Sequence, residues 1–442
     1  MNRHLASALA TLVTLLTVLP LTAQDEPEVD GEGINIPIEG SVRRTLIPIA
    51  IPPIKKLGGG DSAIGAEIAE VIRRDLQISG YFKILPKDSF FFDLGTDGLT
   101  ESTINFQNWY NVGASGLIKG GYKEASGQVA LDLRLFLVGK GKQAKLKQWE
   151  PRTVPRAQLR DEAHRFANAV IEYYTGHRGI FGTHITFAAR TGQGQKHIYV
   201  MDVDGANLRR VSKNTSINIL PSFGGRAIYY TSYKDGNPNL YKSVGGKEVT
   251  VSSRPGQNSG ADECGGKLAV TLSQGGSNTD IYILDPNTGE IQQRLTDHWG
   301  IDTSPTFSPD CKQIAFVSDR AGGPQIYVMD AGGGNQRRLT FAGKYNTAPD
   351  WSPRGDVIAF TARDERNKFD LFTVDLSGGI NRLTQNQGSN EEPAYSPDGR
   401  YIAFISSRGG AGPRLYIMTA DGEVQTLITT SGSGFATPNW GR

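Results

Sequence analysis

Over residues 179–442 the chain alternates short apolar runs with turns rich in Gly, Asp and Asn. Ile314-Ala315-Phe316-Val317, Ile358-Ala359-Phe360 and Ile402-Ala403-Phe404 recur at a spacing of 44 residues. Each follows a Ser-Pro turn: Ser308-Pro309-Asp310, Ser352-Pro353 and Ser396-Pro397-Asp398-Gly399. Apolar runs of this length, bounded by turn residues, predict strands. A fixed period in the forties built from such strands predicts a β-propeller. Six copies of the second strand begin at Ile185, Ile228, Leu268, Ile314, Ile358 and Ile402, and each is followed by a third and a fourth strand. Six units imply six blades. The first unit has no Pro-x-aromatic strand ahead of it, whereas a spare copy, Ala436-Thr437-Pro438-Asn439-Trp440, stands at the C-terminus. The last residues are therefore expected to complete the first blade and to close the ring, which removes an open sheet edge. Trp351 and Trp440 lie within strand text and are expected in the core.

The pattern over residues 43–177 differs. Residues 45–52 read as an apolar strand and Gly58-Gly59-Gly60 as a loop. A helix capped by Asp61 or Ser62 then runs to about Leu76, with Ile64, Ile68, Val71, Ile72 and Leu76 on one face, and Ser79-Gly80 stops it. Residues 106–114 read as helix, 117–122 and 129–138 as strands, and 158–174 as a helix striped by Leu159, Ala163, Phe166, Ala167, Val170 and Ile171. The fold class is thus an α/β domain over residues 43–177 followed by an all-β six-bladed propeller over 178–442.

Ahead of both lie two segments of different character. Residues 1–23 carry Arg3 and His4, an apolar stretch and a small residue at Ala23, the pattern of a secretory signal peptide. A membrane anchor is the alternative, but the apolar run is short for a span. No Cys stands at the cleavage point, so no lipid anchor is expected. Residues 24–42 form an N-terminal strip. Its first part, Gln24 through Gly33, is acidic and lacks core-forming residues. Ile34-Asn35-Ile36-Pro37-Ile38-Glu39 then alternates apolar and polar positions around a proline. That is either the first strand of the next domain or a strip that adds to a partner's sheet.

Composition removes several function classes. A formal net charge of +2 gives no electrostatic case for nucleic acid. Glycine, at 54 of 442 residues, fits many tight turns. Two cysteines rule out a disulfide scaffold and a zinc ribbon. Cys264 and Cys311 fall near the turn into the second strand of consecutive blades, so they either pair or remain free thiols. The six histidines have no partner at metal-ligand spacing, and no G-x-S-x-G elbow occurs. Gly58-Gly59-Gly60 lacks the Lys-Ser/Thr of a phosphate-binding loop. Asp202-Val203-Asp204-Gly205 looks like the start of a calcium loop, but its repeats at Asp330 and Asp375 mark it as a hairpin turn. No metal and no cofactor are expected.

What remains is a surface. The links from each outer strand to the next inner strand share one propeller face near the central channel. They bring Asn218, Gln257, Asn258, Asp302, Thr303, Asn346, Thr347, Asn390 and Glu391, and the loops between second and third strands add Arg320, Arg363, Arg366 and Arg408. A ring of amides, hydroxyls and arginines suits protein or peptide recognition. Two other readings are an enzyme using an acidic pair such as Asp302 and Glu391, and a glycan-binding module, which requires a solvent-facing Trp or Tyr near the channel mouth.

The S-P-D-G, I-A-F, I-Y-V-M-D and R-R-L-T elements resemble the propeller of the TolB family, periplasmic proteins of the bacterial Tol–Pal system. Residues 71–82, ending in Ser79-Gly80-Tyr81-Phe82, resemble the family's S-G-x-F helix end, and Trp109 through Gly120 resembles its W-x-x-x-G-A-x-x-L-I-x-G segment. Ala163-His164, Tyr173-Tyr174-Thr175-Gly176 and Gly179 through Ile185 resemble its inter-domain junction. The resemblance implies a non-enzymatic periplasmic adaptor. It implies that the propeller face binds the peptidoglycan-associated lipoprotein Pal and that Ile34 to Glu39 binds TolA. It further implies a role in outer-membrane integrity and constriction at cell division, and exploitation of the channel by colicins. Two features depart from the family pattern. The leader is longer and more acidic, and the third blade has Asp262-Glu263-Cys264-Gly265 in place of S-P-D-G.

Overall fold

The computed structural model describes residues 45–273, 278–410, 412–429, 432 and 434–441. The signal-peptide and N-terminal-strip readings, Ile34 to Glu39 included, lie outside the described residues.

The N-terminal domain is built on one mixed sheet. Strands Phe82–Ile84 and Gly116–Ala125 flank Ile47–Ala50 in parallel, and Gly116–Ala125 pairs with Gln128–Leu137 as a long antiparallel hairpin. Helices α1 (Ile64–Ser79) and α3 (Leu159–Thr175) cover one face, burying Ile68, Ile72 and Leu76 against Ala163, Phe166 and Val170. The short helix α2 (Phe106–Asn111) and the preceding loop cover the other, around Trp109, Leu117 and Phe136. Asp61 does not cap α1 itself. Its Oδ1 accepts the N–H of Ala63 at 2.9 Å, which holds residues 61–63 as a turn and starts the helix at Ile64. Gly80 ends the helix at φ 74°, the left-handed conformation that favours glycine there.

Six four-stranded sheets follow. The first blade comprises His184–Gly192, Gln195–Asp202, Arg209–Arg210 and, as its inner strand, the C-terminal Phe435–Gly441. The inner strands of the second to sixth blades are Asn218–Gly224, Asn258–Cys264, Asp302–Phe307, Asn346–Trp351 and Asn390–Tyr395. Every inner strand carries a register shift two residues into its ladder. In five of the six the bulged residue precedes a proline and sits at φ between 47° and 57°: Leu220, Ser304, Ala348, Glu392 and Thr437. The third blade has no proline there and uses Gly260 at φ 61°. The proline is tolerated because an inner strand has a free edge on the channel, and the bulge bends that strand around the axis.

The N-terminal domain packs against the ends of the first and sixth blades that carry the first-to-second and third-to-fourth strand turns. Tyr401 Oη donates to the carbonyl of Ser79 at 3.0 Å, and Arg74 donates to the carbonyls of Leu427 (2.7 Å) and Ile428 (3.3 Å). One apolar core runs across the junction through Tyr81, Phe181, Ile185, Val203, Tyr401 and Ile428. The fourth-to-first and second-to-third links lie at the opposite ends of the blades from these contacts.

Cys264 and Cys311 are bonded, with Cα atoms 5.6 Å apart, and join the third and fourth blades. The short side of each blade end brings these two turns together, whereas the period alone left the distance open.

Candidate protein-recognition face of the propeller

The first residue of each inner strand was expected on the rim. The structure corrects this for five of them: Asn218, Asn258, Asp302, Asn346 and Asn390 are all buried. A strand alternates its side chains, and here the first position turns inward under the incoming loop. Their polar atoms tether that loop. Asn218 donates to the carbonyls of Lys196 (2.9 Å) and Ser216 (3.0 Å). Asn258 donates to the carbonyls of Arg254 (2.7 Å) and Gly256 (3.0 Å). Asn346 donates to Gln325 Oε1 (2.8 Å) and the carbonyl of Ala342 (2.9 Å). Buried polar groups need such partners, so these residues hold the blade entrances together.

Two of the expected rim arginines belong to the same device. Arg320 donates to Asp302 Oδ2 at 2.8 Å and lies over the rings of Phe316 and Tyr327. Arg408 donates to Asn390 Oδ1 at 2.8 Å and lies over Phe404 and Tyr416. These guanidiniums are staples within a blade, held by hydrogen bonds and cation–π contact. Arg363 lies over Tyr345 and Phe369, and Arg366 pairs with Asp364.

The other four candidates differ. Gln257, Thr303, Thr347 and Glu391 are half-buried and stand one residue before or after the tethers. Glu391 helps to line a cavity of about 630 Å³ between the first and sixth blades, together with Arg190, Lys196, Ser389, Glu392 and Ser407. Burial raises the Glu391 carboxyl above the usual range. Asp302 is also raised by burial, against the pull of Ser318 and Arg320. Its carboxylate is closed inside the blade, however, so the pair Asp302 and Glu391 cannot face one substrate.

Sequence reasoning passed over the apolar part of this face. Trp299 is 75% exposed and Phe341 71% exposed, with Ile301 and Tyr345 also open to solvent. They lie in adjacent fourth-to-first links, residues 295–301 and 339–345. The available signal was positional: a large aromatic inside a glycine-containing turn, as in His298-Trp299-Gly300, has no strand partner to pack against.

A second grouping was invisible to spacing. Asp75, His164 and Asp204, far apart in sequence, meet at the domain junction, all buried. His164 was expected as a packing or surface residue of its helix; it is buried and hydrogen-bonded to Asp75 at 2.7 Å.

The chain matches the description of the TolB beta propeller domain over residues 171–441 and of the TolB amino-terminal domain over residues 34–144. It is 40% identical over 446 aligned positions to a Tol-Pal system protein TolB of Anaeromyxobacter dehalogenans, covering 98% of each chain. A protein TolB homolog of Chlorobium luteolum is 34% identical, over 76% of this chain and 74% of its own length. The crystal structure of TolB from Acinetobacter baumannii superposes with a TM-score of 0.75 at 25% identity, covering 90% of this chain and 96% of that one. Both domains, in this order and over nearly the whole length, place the chain in the TolB family.

Proposed function

We propose that this chain is a periplasmic, non-enzymatic adaptor of a Tol–Pal system. In this reading the channel-mouth face binds the peptidoglycan-associated lipoprotein Pal, and residues 34–39 engage TolA. The link maintains outer-membrane integrity and draws the outer membrane inward at cell division, and colicins exploit the same channel. The observation that carries the reading is the composition of the face. Half-buried Gln257, Thr303, Thr347 and Glu391 stand at the starts of the inner strands of four blades, and exposed Trp299 and Phe341 lie in the links that lead into two of them. Aromatic anchors next to polar residues are the composition of a protein-binding hot spot.

The test is retention from a detergent extract of bacterial envelope by the immobilised chain without residues 1–23. Thr303→Arg/Thr347→Arg places two bulky cations on this face without touching the buried tethers. The expected outcome is capture of a peptidoglycan-associated lipoprotein by the wild type and loss of most of it, at least tenfold, in the double variant. A chain beginning at Ser41 keeps the lipoprotein and loses TolA. Trp299 also favours a second reading, a peptidoglycan-binding module, because an exposed indole stacks on sugar rings. Retention of glycan fragments without any lipoprotein would replace the adaptor reading with that one.

A further inference from the structure

The Asp75, His164 and Asp204 grouping bridges the two domains. Asp75 belongs to α1 and His164 to α3, whereas Asp204 sits in the first-blade turn between Gln195–Asp202 and Arg209–Arg210. His164 Nδ1 lies 2.7 Å from Asp75 Oδ2, which fixes the ring. Phe181 stacks on it with planes 12° apart. Its other nitrogen, Nε2, has no hydrogen-bond partner and points across the junction to Asp204 Oδ2 at 3.9 Å. Other charges face the same spot. Arg160 of α3 pairs with Asp204 Oδ2, and Arg74 of α1 approaches the Asp204 carbonyl at 3.5 Å, with Glu70 acting on Arg74. A cavity of about 400 Å³ borders the imidazole and brings Asp161, Arg165, Arg178, His184 and Asp202 around it. Arg160 pairs with Asp204 and His164 with Asp75, so each carboxylate has a partner within the protein.

What is unbalanced is the proton. With neutral His164, Nδ1–H donates to Asp75 and the bare Nε2 lone pair faces a carboxylate of the other domain, acceptor against acceptor. With a second proton, Nε2–H faces that carboxylate as a donor, and the contact becomes an ion pair across the junction. We propose that His164 is a proton-operated latch: its protonation tightens the docking of the N-terminal domain on the propeller, and its deprotonation loosens it. The direction of titration agrees. Burial alone lowers the His164 value, but the hydrogen bond and charge of Asp75, together with Asp204, outweigh it and raise the imidazole above its ordinary range. Burial raises Asp75 as well, against the pull of His164, and the two titrate as a coupled pair. The sign follows by linkage. Docking raises proton affinity, so the latch is fully closed below the ordinary imidazole value, about 6.5, and is lost as pH rises through the raised one. This regulation is independent of which partners the propeller face or the chain's first residues take.

The experiment is a spin-label distance measurement on the whole chain carrying Lys147→Cys and Lys247→Cys, one exposed site on each domain. It runs from about pH 5.5 to about pH 8.5, the window in which imidazole titrates. The same measurement is made with His164→Gln and Asp204→Asn, each checked for a native melting transition. The expected result is a docked-to-open ratio that falls several-fold with rising pH in the wild type and is flat in both variants. In parallel, NMR titration follows the His164 imidazole. Its midpoint lies above the ordinary value in the wild type and drops in Asp204→Asn. A merely structural histidine would titrate in the same way but leave the docked-to-open ratio unmoved. A wild-type ratio constant across the window, or the same pH dependence in His164→Gln, overturns the proposal. Should His164→Gln not fold, the Asp204→Asn docked-to-open ratio decides, and a pH dependence equal to that of the wild type overturns the proposal.

Discussion

Asp262, Asp350 and Asn439 fill the same slot of three inner strands, and each accepts a backbone N–H from the inner strand of the next blade. Asp262 Oδ2 takes Phe307 N–H at 2.6 Å, Asp350 Oδ2 takes Tyr395 N–H at 2.6 Å, and Asn439 Oδ1 takes Phe223 N–H at 2.8 Å. The hydrogen bond needs only an acceptor, so the charge on the two aspartates is surplus. Burial raises Asp350 to about 7, against the Tyr395 N–H, with Asp262 adding repulsion; Asp262 is raised to about 6. Between the unfolded carboxylate value, about 4, and these folded values, the folded state binds more protons than the unfolded one. Stability therefore falls as pH rises across that window. Asp350→Asn keeps the acceptor and removes the charge, and Asn439 shows that the slot takes an amide. The variant is expected to gain on the order of 1 kcal/mol at about pH 8 and to show a flatter profile between about pH 5 and 8. Urea midpoints at the two pH values measure this, and an unchanged slope would place the titration elsewhere.

The strand that decides the architecture is Phe435–Gly441. It pairs with His184–Gly192 from Phe435↔Ala189 to Gly441↔His184 and buries Trp440, whose Nε1 donates to Thr183 Oγ1 at 2.8 Å. Phe435 packs on Phe187 with centroids 5.3 Å apart. Without this strand the first blade would lose its inner member, and the ring would gain an open edge between the first and second blades. Removing residues 435–442 is expected to abolish the cooperative thermal transition of the propeller rather than to shift it by a few degrees. Scanning calorimetry checks this; an unchanged transition would show that the ring is held by other contacts. The Cys264–Cys311 bond spans a separation of 47 residues and ties two blades on the side away from this closure. A cross-link of that loop length contributes about 3–4 kcal/mol in the chain-entropy account.

The whole molecule has two unlike faces. One carries the N-terminal domain over the first and sixth blades, sealed by an apolar core and by the Arg74 and Tyr401 hydrogen bonds. The other exposes Trp299 and Phe341 in the links that lead into the fourth and fifth blades, ahead of half-buried Thr303 and Thr347. Exposed aromatics make few contacts within the fold, so their loss costs the fold little, whereas a partner that buries them loses its anchors. Trp299→Ala/Phe341→Ala is expected to leave the melting temperature within about 2 °C of wild type. It is expected to weaken lipoprotein capture by about tenfold or more, roughly 1.4 kcal/mol. Calorimetry paired with the pull-down separates the two effects, and undiminished capture would remove the aromatics from the binding face.

The repeat, the blade number, the α/β domain and the spare strand were legible in the sequence, because strand and helix periods, turn residues and a fixed spacing are local properties that each stretch writes for itself. The pairing of Phe435–Gly441 with His184–Gly192 could be read for the same reason: one copy was missing at the start of the repeat and one was left over at its end. Which side of an inner strand faces the channel was not legible. Alternation sets neighbours such as Asn390, buried, and Glu391, half-buried, on opposite sides, but which of the two turns under the incoming loop depends on the packed blade entrance. Nor was the junction of Asp75, His164 and Asp204, since nothing near any one of them in the chain marks the other two. Contacts between distant segments exist only once the blades and the domain are packed. It is that packing, through burial and the proximity of charges, that decided which polar residues hold the fold and which remain free to meet a partner.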